Sequence, residues 1–333
     1  MKAVLCKAYG PPDSLVYEDV PSPVPGKGQV VISVKAAGVN FPDVLIIQNK
    51  YQFKPPLPFS PGGEVAGVIK ALGEGVTNVK VGDPVIGSIG WGGYSEEVLC
   101  DAGRLIPLPQ GIDFVHASAF VLTYGTSAHA LKDRAMLKAG ESLLVLGAAG
   151  GVGLAAVEIG KVMGAKVYAA VSSPEKLEVA KAHGAVGGLV YPSGPLDRDA
   201  QKKLSEDFKA LVGGDGFNVI YDPVGGDYAE PALRAIGWEG RYLVVGFAAS
   251  DQIPKVPLNL ALLKGCQIVG VFWGAFTARE PQRNKANLAE LMAWYQDGKI
   301  KPLVSKTYPM ARAAEALNDM AARKVQGKVV LVP

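Results

Sequence analysis

The sequence predicts an α/β protein of two domains, one all-β and the other a doubly wound parallel sheet with helices on both faces. Three observations carry this expectation. The 333 residues exceed the size at which one hydrophobic core stops growing. Up to about residue 122 short β-branched runs are broken by Gly and Pro, whereas beyond it apolar strands alternate with helical stretches. A glycine-rich turn, residues 147 to 153, stands between a strand and a helix.

Taken in order, Met1-Lys2-Ala3-Val4-Leu5-Cys6 alternates like a strand and lacks the apolar run and cleavage site of a signal peptide, which predicts a cytoplasmic protein. The runs Val30-Val31-Ile32-Ser33-Val34 and Glu64-Val65-Ala66-Gly67-Val68-Ile69 read as strands. Turn signals at Gly73-Glu74-Gly75 and Val81-Gly82-Asp83 follow at the spacing of a barrel or sandwich. Between Asn49 and Gly63 four prolines withhold ladder donors, so a surface loop of the kind that lines pockets is expected. Residues 1–122 form the β domain in this reading.

Residues 123–297 form the second domain, with strands expected at 143 to 147, 166 to 171, 187 to 191, 217 to 222, 241 to 246 and 267 to 273. Six strands with helices between them match a complete dinucleotide-binding sheet. Residues 298–333 should return to the first domain. There Ile300 to Val304 and Gly327 to Val332 read as β, with a helix near 311 to 322.

A formal charge of +3, with Lys and Arg scattered, leaves no electrostatic footprint for nucleic acid or an anionic membrane. The longest stretch without charge, Phe114 to Leu131, holds two His, two Thr, two Ser and a Gly and does not suit a lipid-spanning helix. Cys6, Cys100 and Cys266 are too few and too far apart for a disulfide framework, as a reducing compartment would have it. Small-molecule chemistry remains.

Leu143-Leu144-Val145-Leu146-Gly147 is a buried-strand run followed at once by Ala148-Ala149-Gly150-Gly151-Val152-Gly153 and a helix of small residues. This is the context of the Rossmann fingerprint: a tight turn, a residue without Cβ where backbone meets pyrophosphate, and a glycine for close packing of helix on strand. Ala148 occupies the position of the first glycine. The plainer reading is a packing turn with no ligand. After the second strand, where an NAD enzyme places an acid on the ribose hydroxyls, the chain reads Ser172-Ser173-Pro174-Glu175-Lys176. Ser173 is a natural N-cap and Pro174 a natural first helical residue, so backbone donors open beside Ser172 and Lys176. A 2′-phosphate suits them, which favours NADPH; the alternatives are an ordinary capped helix with a solvated Lys, or Glu175 facing the ribose.

The segments Gly38-Val39-Asn40-Phe41-Pro42-Asp43, Pro61-Gly62-Gly63-Glu64-Val65-Ala66-Gly67, Val81-Gly82-Asp83-Pro84-Val85, Gly92-Gly93-Tyr94-Ser95-Glu96, Gly147 to Gly153 and Asp222-Pro223-Val224-Gly225-Gly226 span nearly the whole chain. With them the sequence resembles the medium-chain dehydrogenase/reductases, in the quinone oxidoreductase (zeta-crystallin-like) branch. The resemblance implies a GroES-like β domain, a Rossmann domain with a cleft between the two, and a homodimer. It assigns Lys176, Tyr191 and Arg323 to the NADPH 2′-phosphate, with Arg312 and Lys324 as competitors for the last role. It places Thr123 and Thr126 on a helix that reaches the nicotinamide, where helix capping is the other reading. Gly246, Phe247, Phe272 and Trp273 fall at strand ends, where such sheets meet their ligands, or else belong to the core.

The zinc enzymes of this superfamily carry Cys and His where this chain has Asn40 and Gly63, and His116, His129 and His183 are its only imidazoles. No zinc site can be assembled from recognisable spacing, so no metal is expected. Hydride transfer to a conjugated system needs no Lewis acid, since the charge developing on oxygen can be met by hydrogen-bond donors. Asn40 and Tyr51 are the candidates, against turn residue and loop anchor as their other readings. The expected function is NADPH-dependent reduction of a quinone or other α,β-unsaturated carbonyl. The alternatives are an enoyl or acryloyl thioester reductase, or a structural protein that holds NADPH without turnover. The uncharged edge strand Gln267 to Trp273 is the expected dimer contact.

Overall fold

A ten-residue run, Gln29–Gly38, carries a single charge and is apolar at nearly every other position, and it forms the strand on which the first unit is built. The computed structural model describes residues 1–249 and 253–333. Its chain divides into one unit of Met1–Leu122 with Pro302–Pro333 and another of Thr123–Lys301.

The first unit begins with β1 (Lys2–Leu5) and β2 (Val16–Asp19), an antiparallel pair. There follow β3 (Gln29–Gly38), β4 (Glu64–Leu72), β5 (Pro84–Ser88), β6 (Glu97–Asp101) and β7 (Leu105–Pro107), with helices α1 (Phe41–Ile46) and α2 (Phe114–Ala117). Strand β3 pairs antiparallel with both β4 and β6, so one long strand joins two parts of the sheet. Helix α3 (Val121–Ala128) carries the chain past Leu122.

In the second unit β8 (Ser142–Leu146), β9 (Lys166–Val171), β10 (Gly187–Val190), β11 (Phe217–Asp222), β12 (Ile236–Val244) and β13 (Gln267–Gly270) form one sheet in the order β10-β9-β8-β11-β12-β13. Every pair is parallel. Helices α4 (Gly151–Val162), α5 (Pro174–His183), α6 (Arg198–Val212), α7 (Ala229–Arg234), α8 (Asn259–Lys264), α9 (Trp273–Arg279) and α10 (Pro281–Gln296) fill the connections. This is the doubly wound Rossmann order, which reverses between β8 and β11 and so opens a ligand crevice at their carboxyl ends. The return segment adds β14 (Val304–Pro309), α11 (Ala313–Ala321) and β15 (Lys328–Val332) to the first unit. Strand β15 pairs with β3, and Tyr308, Leu317 and Leu331 join Val30, Ile32 and Val65 in one core.

Three expectations are corrected. The fifth sheet strand starts at Ile236 rather than 241, because a register shift lets Phe217 pair with Ile236 before Val219 pairs with Arg241. The sixth ends at Gly270, and Trp273 instead opens α9. Residues 300 to 303 are not strand: the Lys301 N–H goes to the Glu158 carboxylate at 3.0 Å and Pro302 has no N–H to give. The second unit runs to Lys301.

Candidate cofactor and catalytic sites

In the second unit the fingerprint turn is built by three glycines under different demands. Gly147 takes φ +59°, and a Cβ there would meet Val224 at 2.9 Å, so the turns after β8 and β11 touch. A Cβ on Gly153 would lie 2.2 Å from the Gly147 carbonyl oxygen, which only a residue without a side chain permits. Gly150, the N-cap of α4, has no protein atom nearer than 3.4 Å to such a Cβ. The protein itself does not require glycine at 150; open space lies before the first turn of α4, where unpaired N–H groups attract an anion. Gly151 and Val152 lie in that first turn, and Ala148 is fully buried behind it.

The neighbouring turn is held by Asp222 at the end of β11, whose carboxylate accepts the N–H groups of Val224 and Gly225 at 2.8 Å each and the Tyr242 hydroxyl. Burial raises the Asp222 pKa, against the pull of these three donors. A Cβ on Gly225 would meet Phe247 at 2.9 Å, so Gly246 and Phe247, just after β12, border the same crevice. Helix α3 is tied to this region by Ser127, which donates to the Val152 carbonyl at 2.9 Å and bonds Tyr221. Thr126 is half-buried and Thr123 buried on that helix. Phe272 is exposed, but Trp273 is core: its indole N–H donates to Asn284 at 3.2 Å and its ring lies against Gly125.

At the carboxyl end of β9, Ser173 caps α5 by accepting the Lys176 N–H, and the Lys176 ammonium donates to the Ser172 hydroxyl at 3.1 Å. The exposed Glu175 carboxylate turns toward Ser173, whose hydrogen bond lowers its pKa. Tyr191 follows β10 and its N–H bonds Val171, which sets it beside Ser172; its ring packs on Tyr228 at 4.6 Å in the core. Ser172, Ser173 and Lys176 therefore come together, with the Tyr191 backbone alongside and its ring in the core. Arg323 lies in the first unit, after α11, at φ +57°.

In the first unit Asn40 caps α1, and its side chain is already engaged. Its backbone N–H donates to Asp43 at 2.8 Å, its side-chain amino group to the Gly38 carbonyl at 3.3 Å and to Glu64 at 3.4 Å, and its side-chain oxygen accepts from Lys328. Asp43 also accepts the Tyr94 hydroxyl at 2.9 Å, and burial pushes its carboxyl up to about 6. Burial likewise raises the pKa of Glu64 and lowers that of Lys328. Tyr51 is half-buried in the proline-rich loop, edge-on to Phe53, and burial followed by the Asp43 charge raises its hydroxyl pKa. Sequence reasoning missed Lys328 and Glu64 as partners of Asn40, and Tyr94 as a partner of Asp43. The one local signal was a lysine opening an otherwise apolar strand.

The histidines serve structure. His116 pairs with Asp113, and His129 pairs with Asp133 while stacking on Phe276 at 3.9 Å. His183 bonds buried Glu158 at 2.6 Å. Among the described residues no three His, Cys, Asp or Glu side chains gather as a metal-holding group, and no helix is long and apolar enough to cross a membrane.

A β unit joined to a parallel sheet of this order, with a glycine cradle at its switch point, defines a dinucleotide-binding oxidoreductase. Family comparison agrees: residues 26–110 match the alcohol dehydrogenase GroES-like domain and residues 151–294 the zinc-binding dehydrogenase family. The chain is 37% identical, over 99% of its length and 88% of the relative's, to a quinone oxidoreductase-like protein 2 homolog of Nematostella vectensis. It is similar to the mycobacterial Rv1454c complexed with NADPH, with TM-score 0.92, 30% identity and all of both chains covered. It also resembles Escherichia coli quinone oxidoreductase complexed with NADPH, with TM-score 0.90, 27% identity and the same coverage. The chain belongs to the medium-chain dehydrogenase/reductases, in the quinone oxidoreductase branch.

The glycine cradle makes a testable distinction. Gly153→Ala forces backbone apart and should lower unfolding stability by about 1–3 kcal/mol, whereas Gly150→Ala should change it by less than about 1 kcal/mol. Urea unfolding of both variants measures this; equal stability losses would show that both glycines are needed only for packing.

Proposed function

We propose that the protein reduces a quinone or another α,β-unsaturated carbonyl with NADPH and without zinc. The observation that carries this reading is the Ser172–Lys176 pair at the end of β9, where a cation and a hydroxyl stand 3.1 Å apart beside the capped N-terminus of α5. A dianionic phosphate matches that donor set, and a ribose diol does not use it. Gly150, Gly151, Val152 and Gly153 hold the pyrophosphate in this reading, and Ser172, Ser173 and Lys176 the 2′-phosphate, with Tyr191 alongside and Arg323 as a further cation. The bound dinucleotide supplies the hydride.

The chain's own task is to orient the acceptor and hold its oxygen as charge develops there. Asn40 and Tyr51 supply the donors. Asn40's two long amide bonds are the ones a carbonyl oxygen can replace, and the Tyr51 hydroxyl stays protonated because burial and Asp43 oppose its ionisation. Exposed Phe53 and Leu57 in the same loop offer an apolar surface to a planar substrate. Zinc independence rests on the donor set, since Asn40 is bound to Lys328 and Gly63 has no side chain to ligate. The three free cysteines suit the cytoplasm.

The second copy of a homodimer would complete β13, the edge of the sheet. Ile268 on that strand and Leu258, Leu262 and Leu263 near α8 are exposed apolar residues, whereas Val269 faces inward.

Three outcomes are expected. Losing one charge-assisted bond removes about 1.5–3 kcal/mol, so Lys176→Ala should weaken NADPH by about 10- to 100-fold in a fluorescence titration while NADH is nearly unaffected; a wild type that binds both equally refutes the assignment. In chelator-treated enzyme, Asn40→Ala should slow enone reduction by about 100- to 1000-fold, with quinones less affected and Tyr51→Phe milder on both. NADPH oxidation against a panel of quinones, enones and enoyl thioesters reads this, and wild-type rates on all would sink the carbonyl-holding role. Light scattering should give twice the 34.8 kDa chain mass and a monomer for Ile268→Asp; a monomeric wild type would exclude the dimer.

A further inference from the structure

Lys328 opens β15 yet is almost wholly buried, and the orientation of the Asn40 side chain depends on it. Its ammonium donates to the Val39 carbonyl at 3.0 Å and to the Asn40 side-chain oxygen, and stands 3.6 Å from the Glu64 carboxylate. The other Glu64 oxygen accepts the Leu122 N–H at 2.9 Å, so that carboxylate is itself fixed. An ammonium can only donate, which leaves Asn40 one orientation: oxygen toward Lys328, amino group away from it. The amino group then makes bonds of 3.3 and 3.4 Å, longer than the usual 2.9–3.0 Å. Taking this charge pair out of water is costly, and its members are almost wholly buried.

We infer that Lys328 is a positioning residue for the reaction, orienting and polarising the Asn40 carboxamide so that its amino group becomes a stronger donor to the substrate oxygen. The inference rests on the reading above, in which Asn40 holds that oxygen. The physics is hydrogen-bond cooperativity: a cation bonded to an amide oxygen draws electron density from the nitrogen, and its N–H groups donate more strongly. Burial lowers the Lys328 pKa, but Glu64 and Asp43 oppose that shift and favour the charged form. In this arrangement Glu64 has the further role of holding Lys328 in place.

The test is a kinetic double-mutant cycle on an enone substrate. Lys328→Met should lower turnover by about 10- to 100-fold while leaving KM for NADPH unchanged, and Lys328→Arg should restore most of the loss. Asn40→Ala alone should lower turnover, and adding Lys328→Met to it should change nothing further. Should Lys328→Met fail to fold, Lys328→Met with Glu64→Gln removes both buried charges and should show the same turnover loss at normal thermal stability. Wild-type turnover in Asn40→Ala overturns the carbonyl-holding reading and this inference with it. A loss in Asn40→Ala with an independent, additive effect or no effect of the Lys328 variants overturns this inference alone.

Discussion

The second unit depends on one close approach, that of helix α4 to the turn it grows from. A side chain at residue 153 would collide with the Gly147 carbonyl, and one at Gly160, two turns on, would reach Leu143 and Val167 within 2.8–2.9 Å. Glycine at both points lets the helix lie flat on β8 and β9. Its buried face of Leu154, Ala155, Ala156, Val157 and Ile159 then packs against strands that are themselves buried. With β9 paired to one edge of β8, the chain completes the sheet on the other edge with β11, and the strand order reverses there. Packing thus creates both the sheet and the open space before the α4 N-terminus.

Buried polar groups fix what apolar packing leaves loose. In the second unit Glu158 on α4 accepts from the Tyr124 hydroxyl, His183 and the Lys301 N–H, which joins α3, α4, α5 and the segment after α10 through one carboxylate. In the first unit the Lys328, Glu64, Asn40 and Asp43 network does the same for β15, β4 and α1. An unpaired member of either network would be costly in a low-dielectric interior, so each group specifies the position of the next.

The sequence by itself determined what depends on local pattern. The Leu143 to Gly153 segment is a strand, turn and helix because burial, positive φ and small residues occur in succession, and the Ser173-Pro174 start of α5 follows from side-chain capping three residues apart. The strand expected near residue 300 failed where a distant group took the hydrogen bond: Lys301 gives its N–H to Glu158 rather than to a ladder. Trp273 looked like the end of a strand, but Gly125 leaves the space its ring fills, and no local pattern connects residues that far apart. Tertiary structure alone decided the chemistry around Asn40, since its oxygen is held by a lysine 288 residues away. Periodicity records which face of an element is buried; it does not record which distant polar group meets it there, and that pairing sets the orientation of the amide.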